Sequence, residues 1–197
     1  GKPRVLSGFS SLVKTPDGRY YGLSGEDVFQ LDFTQQKLVP VSFVKGKIPQ
    51  GVLRMLADAQ GNVYMATASQ GLWFWDRKQT VVNSAAAQPR NSTTSISPRT
   101  VDHSGKVWFT QTEGVYYREA NQGRFVLVNR KAANNGVKIT QSIDIVETQP
   151  NVYWVSTNDN GIFELDFRQK TPILNNYNAS NSGLPSDFCS RLIYDQR

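Results

Sequence analysis

The chain has 197 residues, of which 39% are hydrophobic, 11% aromatic and 19% charged, the proportions of a soluble globular domain and not of a disordered or fibrous chain. No window approaches the roughly 18 to 20 consecutive apolar residues of a membrane helix, so no membrane contact by this segment itself is expected. The net charge of +6 comes from 22 Lys and Arg scattered among 16 acids, with basic runs no longer than pairs such as Arg77-Lys78 and Arg130-Lys131, which argues against nucleic acid as a partner.

In chain order, one pattern recurs. Its clearest copy opens at Asp58, turns at Gly61, runs through Val63-Tyr64-Met65-Ala66-Thr67, turns again at Gly71 and ends on Leu72-Trp73-Phe74-Trp75-Asp76. Two short apolar runs joined by polar, Gly-containing turns predict paired strands. An earlier copy has its turn at Pro16-Asp17-Gly18 and reads as tighter, because the acid stands next to the glycine. A third runs from Asp102 through Gly105 to Trp108 and ends in Arg118, and a fourth puts Asn151 in the turn glycine's place, ahead of Trp154 and Asp166.

The aromatics Tyr21, Tyr64, Trp108 and Trp154 align at spacings of 43, 44 and 46 residues. An apolar segment precedes each pair of strands (Phe9 to Val13, Val52 to Ala57, Ile96 to Val101, Ile139 to Val146, Phe188 to Tyr194). An outer strand follows, as in Leu38 to Val44 and Gly123 to Val128. A period in the forties with four strands per unit predicts an all-β chain, a β-propeller of four four-stranded blades plus partial blades at both ends, a fragment of a larger propeller. The boundaries read as a partial outer strand over 1–7, blades over 8–45, 46–90, 91–133 and 134–180, and the start of a further blade over 181–197.

Asp58, Gly61, Asp102, Gly105 and the four aligned aromatics have a structural explanation: the acids bond turn backbone, the glycines turn the chain, and the rings fill the gaps between blades. Positions ten residues before each aromatic, Arg54, Pro98 and Asp144, with Arg191 in the fifth unit, fall on the innermost strands. Arg54, Asp144 and Arg191 are therefore the candidate ligand-binding residues, because propeller ligands meet the channel mouth and its loops. The long polar connections Asn83 to Ser95 and Asn129 to Lys138 are candidate rims.

No catalytic residue, metal site or cofactor is expected. His103 is the single histidine and sits in a turn, where a solvated side chain is the default, and one His with one Cys makes no zinc site. The lone Cys189 excludes an internal disulfide and reads as a small buried residue in a strand. Asn158-Asp159-Asn160-Gly161 has the look of a calcium loop, but Phe167 stands where such a loop needs glutamate, so a hairpin turn is expected.

The repeat, together with Ser182-Gly183-Leu184-Pro185-Ser186-Asp187 ahead of the last β-run and the weaker Gly46-Lys47-Ile48-Pro49-Gln50-Gly51, resembles the two-component regulator propeller family over essentially the whole chain. Tyr21 and Tyr64 stand where that family usually has Trp. The resemblance implies the periplasmic or extracytoplasmic sensor region of a membrane-anchored bacterial receptor whose inner half is a histidine kinase or diguanylate cyclase. It implies a non-catalytic function, a small-molecule or oligosaccharide ligand and self-association in the parent receptor. It transfers no ligand contact, because the family's repeat is structural. Two alternatives stay open: a propeller enzyme of lyase or glycosidase type, and a protein-protein interaction scaffold.

Overall fold

The structure, a computed structural model, describes residues 8–25, 27–79, 81–84, 96–119, 124–128 and 130–195, with the backbone alone at 83 and 84. Sixteen strands form four four-stranded antiparallel sheets, and these residues contain no helix. Sheet one holds β1 (Ser11–Lys14), β2 (Tyr20–Ser24), β3 (Asp27–Asp32) and β4 (Lys37–Pro40). Sheet two holds β5 (Val52–Ala57), β6 (Val63–Thr67), β7 (Leu72–Asp76) and β8 (Val81–Ser84). Sheet three holds β9 (Ser97–Val101), β10 (Val107–Gln111), β11 (Gly114–Arg118) and β12 (Phe125–Leu127). Sheet four holds β13 (Ser142–Gln149), β14 (Val152–Thr157), β15 (Ile162–Asp166) and β16 (Ile173–Tyr177). In every sheet the strands pair in sequence order. The chain divides at Pro98/Arg99 into two compact units.

The repeat's polar residues close its hairpins. In sheet two Asp58 Oδ1 accepts the N–H groups of Gln60 and Asn62, and Gly61 turns the chain at φ 83°. Asp102 Oδ1 accepts from Ser104 and Lys106 around Gly105, also at φ 83°. Asn151 adopts φ 65°, so it does take the left-handed place that glycine holds elsewhere. At the second hairpin Thr67 and Thr157 donate to the carbonyls of Gly71 and Gly161 at 2.7 and 2.9 Å while accepting the N–H of Gln70 and Asn160. Asn158 to Gly161 is thus a hairpin turn.

Four expectations are corrected. The first copy's turn is no tighter than the second: Gly18 N–H donates to Thr15 O as Gly61 N–H does to Asp58 O, so Thr15 occupies the acid's place and Asp17 is an added carboxylate. Phe188 to Tyr194 forms no strand. Cys189 N–H donates to Thr157 O at the end of β14 and Asp187 O accepts from Gly161, two bonds that do not extend into a ladder. Cys189 is accordingly half-buried outside any strand, not inside one. The outer strand of sheet one, expected to run to Val44, ends at Pro40; one further bond, Val41 N–H to Val28 O at 2.8 Å, follows it, and the N–H that Pro40 lacks would have faced the free edge. The partial strand expected within residues 1–7, the rim from Asn83 to Ser95 beyond the β8 backbone, and the Gly123 end of an outer strand lie outside the described residues.

Each unit has its own core between two sheets. In the first, Val13, Tyr21 and Leu23 of sheet one meet Met55, Val63, Met65 and Trp75 of sheet two. In the second, Trp108 and Val115 of sheet three meet Ile145, Tyr153, Val155, Phe163 and Leu165 of sheet four. Fully burying one such large apolar side chain stabilises the fold by about 1.5–3 kcal/mol.

Candidate functional site

Two kinds of position carry the polar and aromatic chemistry: seams between sheets, and the innermost strands. At the first unit's seam the Tyr21 and Trp75 rings pack edge to face at 5.2 Å, and Arg77 lies over the Tyr21 ring at 5.1 Å. The Arg77 guanidinium then grips Asp17 through two bonds of 3.2 and 2.7 Å. Those bonds, with the Thr15 hydroxyl, hold the Asp17 carboxyl well below the usual carboxylate range. At the second unit's seam Trp108 meets Tyr153 at 4.3 Å and Phe167 at 5.9 Å. Asp102 is buried between them and accepts from Trp108 Nε1 at 2.9 Å and Tyr153 Oη at 2.7 Å.

Burial pushes the Asp102 carboxyl up, but the bonds from Trp108, Tyr153, Ser104 and the Lys106 amide outweigh it and leave the group below its ordinary value. Burial, reinforced by the same bond to Asp102, pushes the Tyr153 phenol far up. His103 is not merely solvated. Its Nδ1 lies 2.6 Å from Glu147 Oε1 on β13 and its backbone N–H donates to Glu147 Oε2, while Glu147 Oε1 also accepts from the Asn151 amide. Glu147 thereby does for the fourth copy's turn what Asp58 does for the second.

Tyr21, Tyr64, Trp108 and Trp154 occupy one register position: their cross-strand partners are Gln30, Phe74, Tyr117 and Glu164. Tyr21 and Trp108 pack against the following sheet, as mortar should. Trp154 instead stacks on Tyr177 of its own sheet and is half-buried, beside a Tyr177 hydroxyl bonded to Glu164.

The innermost-strand candidates also share a register position. Arg54 pairs with Ala66 just after a β-bulge, and Asp144 pairs with Ser156 just after the matching bulge. Ser11, opposite Leu23, is their counterpart in sheet one. Arg191 is exposed in the segment after sheet four. Asp144 Oδ2 accepts the N–H of Leu192 at 3.3 Å, which brings Asp144 next to Arg191's neighbour in the second unit; Arg54 belongs to the first unit. Ser156, opposite Asp144, is fully buried and its hydroxyl finds no hydrogen-bond partner. Pro98 brings no polar group to the row, but the adjacent Arg99 donates to Thr110 Oγ1 at 2.8 Å, and Thr110 in turn donates to the carbonyl of Ile143, the neighbour of Asp144. Among the described residues no group of three or more His, Cys, Asp or Glu is placed to hold a metal ion.

Sequence reading missed Thr15, Glu147, Arg99 and the seam residues Arg77 and Phe167. The last two carried a signal, because each immediately follows the repeat's closing Asp. Thr15 has the spacing to Gly18 but not the acid, and Glu147 has the acid but not the spacing, so neither matches Asp-x-x-Gly.

No family model and no curated protein matches the sequence. Solved structures do match the fold. PorZ, an essential surface component of the type-IX secretion system of Porphyromonas gingivalis, is similar with a TM-score of 0.67 at 16% identity over 95% of this chain and 30% of its own. The extracellular domain of a putative hybrid two-component system from Bacteroides thetaiotaomicron gives 0.66 at 15% identity, over 93% of this chain and 24% of its own. An auxiliary nutrient-binding protein of the same organism gives 0.54 at 13% identity, over 86% of this chain and 40% of its own. The class defined is therefore a propeller-like all-β fold. Its neighbours include extracellular domains of Bacteroides signalling systems, and the chain spans well under half the length of each. Among the described residues no helix is long and apolar enough to cross a membrane.

Proposed function

We propose that the chain is part of a larger β-propeller forming the non-catalytic, extracytoplasmic sensor region of a membrane-anchored bacterial receptor of the two-component or cyclic-dinucleotide type, and that it binds a sugar or another small molecule. The observation that carries the reading is the inner-strand row. The same register position holds Ser11 in sheet one, Arg54 in sheet two and Asp144 in sheet four; Ser11 accepts the Met55 N–H at 3.0 Å, which leaves Arg54 and Asp144 as unlike charged groups, whereas the neighbouring positions repeat a packing role. Packing dictates the constant positions; a charged group that changes from sheet to sheet at one position of an otherwise packed strand is what a ligand contact needs.

The two outer faces support a larger propeller. Leu12 on β1 is 53% exposed, while Met55 and Ile145, at the same register position in sheets two and four, are 5% and 3% exposed because a preceding sheet covers them. Half-buried Trp154 stands to sheet four as buried Trp108 stands to sheet three, so a further sheet fits against it. The non-catalytic part of the reading is supported by how the repeat acids are used: Asp32, Asp58, Asp76, Asp102 and Asp166 all accept turn amides. The extracellular and nutrient-binding neighbours support the localisation and the ligand class. In the parent receptor, self-association passes the ligand-dependent shift inward, which requires different ligand affinity in two states.

A thermal-shift screen with neutral and acidic oligosaccharides tests the reading. A stabilising ligand whose effect disappears in Arg54→Ala, Asp144→Ala or Arg191→Ala is expected; no response to any member, or a response indifferent to all three substitutions, contradicts it. The likeness to a secretion-system surface component favours a second reading, a scaffold that holds another protein. In that case those substitutions abolish capture of the protein partner and leave the glycan screen blank.

A further inference from the structure

Each unit ends in an outer strand whose free edge carries no charge, and in each unit an inter-sheet connection is bonded across that edge. In the second unit the edge belongs to β16, Ile173-Leu174-Asn175-Asn176-Tyr177. The connection before β13 folds into a tight loop, closed by Ala132 N–H to Val137 O at 2.6 Å and Gly136 N–H to Ala132 O at 2.8 Å. Ala133 N–H then donates to Leu174 O at 2.6 Å. The Asn134 carboxamide meets both edge groups of Asn176: its Nδ2 donates to Asn176 O at 2.6 Å, which Asn181 Nδ2 also reaches at 3.0 Å, and its Oδ1 accepts Asn176 N–H at 3.0 Å. One side-chain amide thus takes the two bonds that the backbone of a neighbouring strand would take.

Asn176 locks the arrangement from inside. Its own side chain is fully buried, accepting from Asn135 Nδ2 at 2.7 Å and donating to Asn160 O at 2.6 Å. In the first unit the connection after β4 does the same for β8: Lys45 bridges to Val81 in parallel, and Val82 N–H donates to Lys45 O at 2.9 Å. Edge strand β4 has Lys37 and Pro40 instead, a charge and a missing donor that themselves discourage pairing.

We propose that the 131–138 connection is a strap that closes the β16 edge against strand addition, and that the species it excludes is a second copy of this chain pairing β16 to β16. An uncharged edge of five residues with unpaired N–H and C=O groups is a template for an identical strand, and the self-complementary outcome is a two-fold dimer. The Asn134 amide removes that template without adding charge.

The test is Asn134→Ala in the full chain, with Asn134→Asp as a milder variant that keeps the acceptor for Asn176 N–H and loses the donor to its carbonyl. Sedimentation velocity over a concentration series reads association, and hydrogen exchange of peptides spanning 173–177 locates it. Losing two hydrogen bonds from the competing strap raises the association constant about tenfold in Asn134→Ala and less in Asn134→Asp. Exchange at 173–177 becomes faster in dilute protein and slows again as concentration rises. Circular dichroism distinguishes this from misfolding, and should Asn134→Ala lose its sheet signal, Asn134→Asp carries the test. Variants that fold and stay as monomeric as the parent, or that associate without protecting 173–177, overturn the proposal.

Discussion

The two seams solve one packing problem with different chemistry. Tyr21 and Trp108 stand at the same position of the repeat, and Arg77 and Phe167 both follow its closing Asp. In the first unit the partner is a largely buried cation gripped by the exposed Asp17; in the second it is a third ring, with the carboxylate of Asp102 buried beneath. The indole nitrogens show the difference: Trp108 Nε1 donates to Asp102, whereas Trp75 Nε1 is buried with no hydrogen-bond partner. An unmet buried donor costs about 1–3 kcal/mol, so the first seam is the weaker. A buried acid that serves two ring donors ties its neighbours together, while an ion pair whose carboxylate faces solvent adds less and is partly screened by salt.

The largest expected effect is therefore in the second unit. Asp102→Ala leaves the Trp108 and Tyr153 donors buried and unpaired and lowers stability by about 3 kcal/mol in denaturant titration. Asp17→Ala, the corresponding cut in the first unit, lowers the midpoint far less, and its effect shrinks further in high salt. Equal losses from the two substitutions would show that the seams do not differ as described.

Acid sharpens the same contrast at intermediate size. Because the folded Asp102 carboxyl lies below its ordinary value, its contribution is complete above the unfolded carboxylate value of about 3.9 and fades as pH falls through the lower folded value. Thermal midpoints measured from pH 6 downward should fall below about pH 4, and less steeply in Asp102→Asn, which cannot titrate there. A parent profile parallel to that of Asp102→Asn would remove Asp102 from the seam's energetics.

Much of this architecture was legible in the chain. The interval between aromatics, the left-handed turn residues and the apolar runs mark strands such as Val52–Ala57 and Val63–Thr67, because turn chemistry and alternation act locally. The seam partners were not, since a ring at Trp108 and an acid at Asp102 state a need for company without naming Tyr153 or Phe167, which arrive from another sheet. Glu147 escaped because a bulge in β13 moves the useful carboxylate one residue off the expected spacing. Phe188 to Tyr194 misled for the opposite reason: an apolar alternation predicts a strand only where a neighbour supplies the ladder. The candidate ligand row was legible as positions, since counting back from the aromatics reaches Arg54 and Asp144, but not as a chemistry, because Arg99 enters through a hydrogen bond to Thr110.

The central claim is a division of labour, with seam residues holding the sheets and inner-strand residues meeting the ligand. Isothermal titration with the oligosaccharide that gives the largest thermal shift, on the parent, Asp144→Ala and Asp17→Ala, tests it most directly. Asp144→Ala should lose at least about tenfold in affinity with its melting midpoint nearly unchanged, while Asp17→Ala lowers the midpoint and keeps the affinity. Affinity lost in Asp17→Ala and retained in Asp144→Ala would contradict the account.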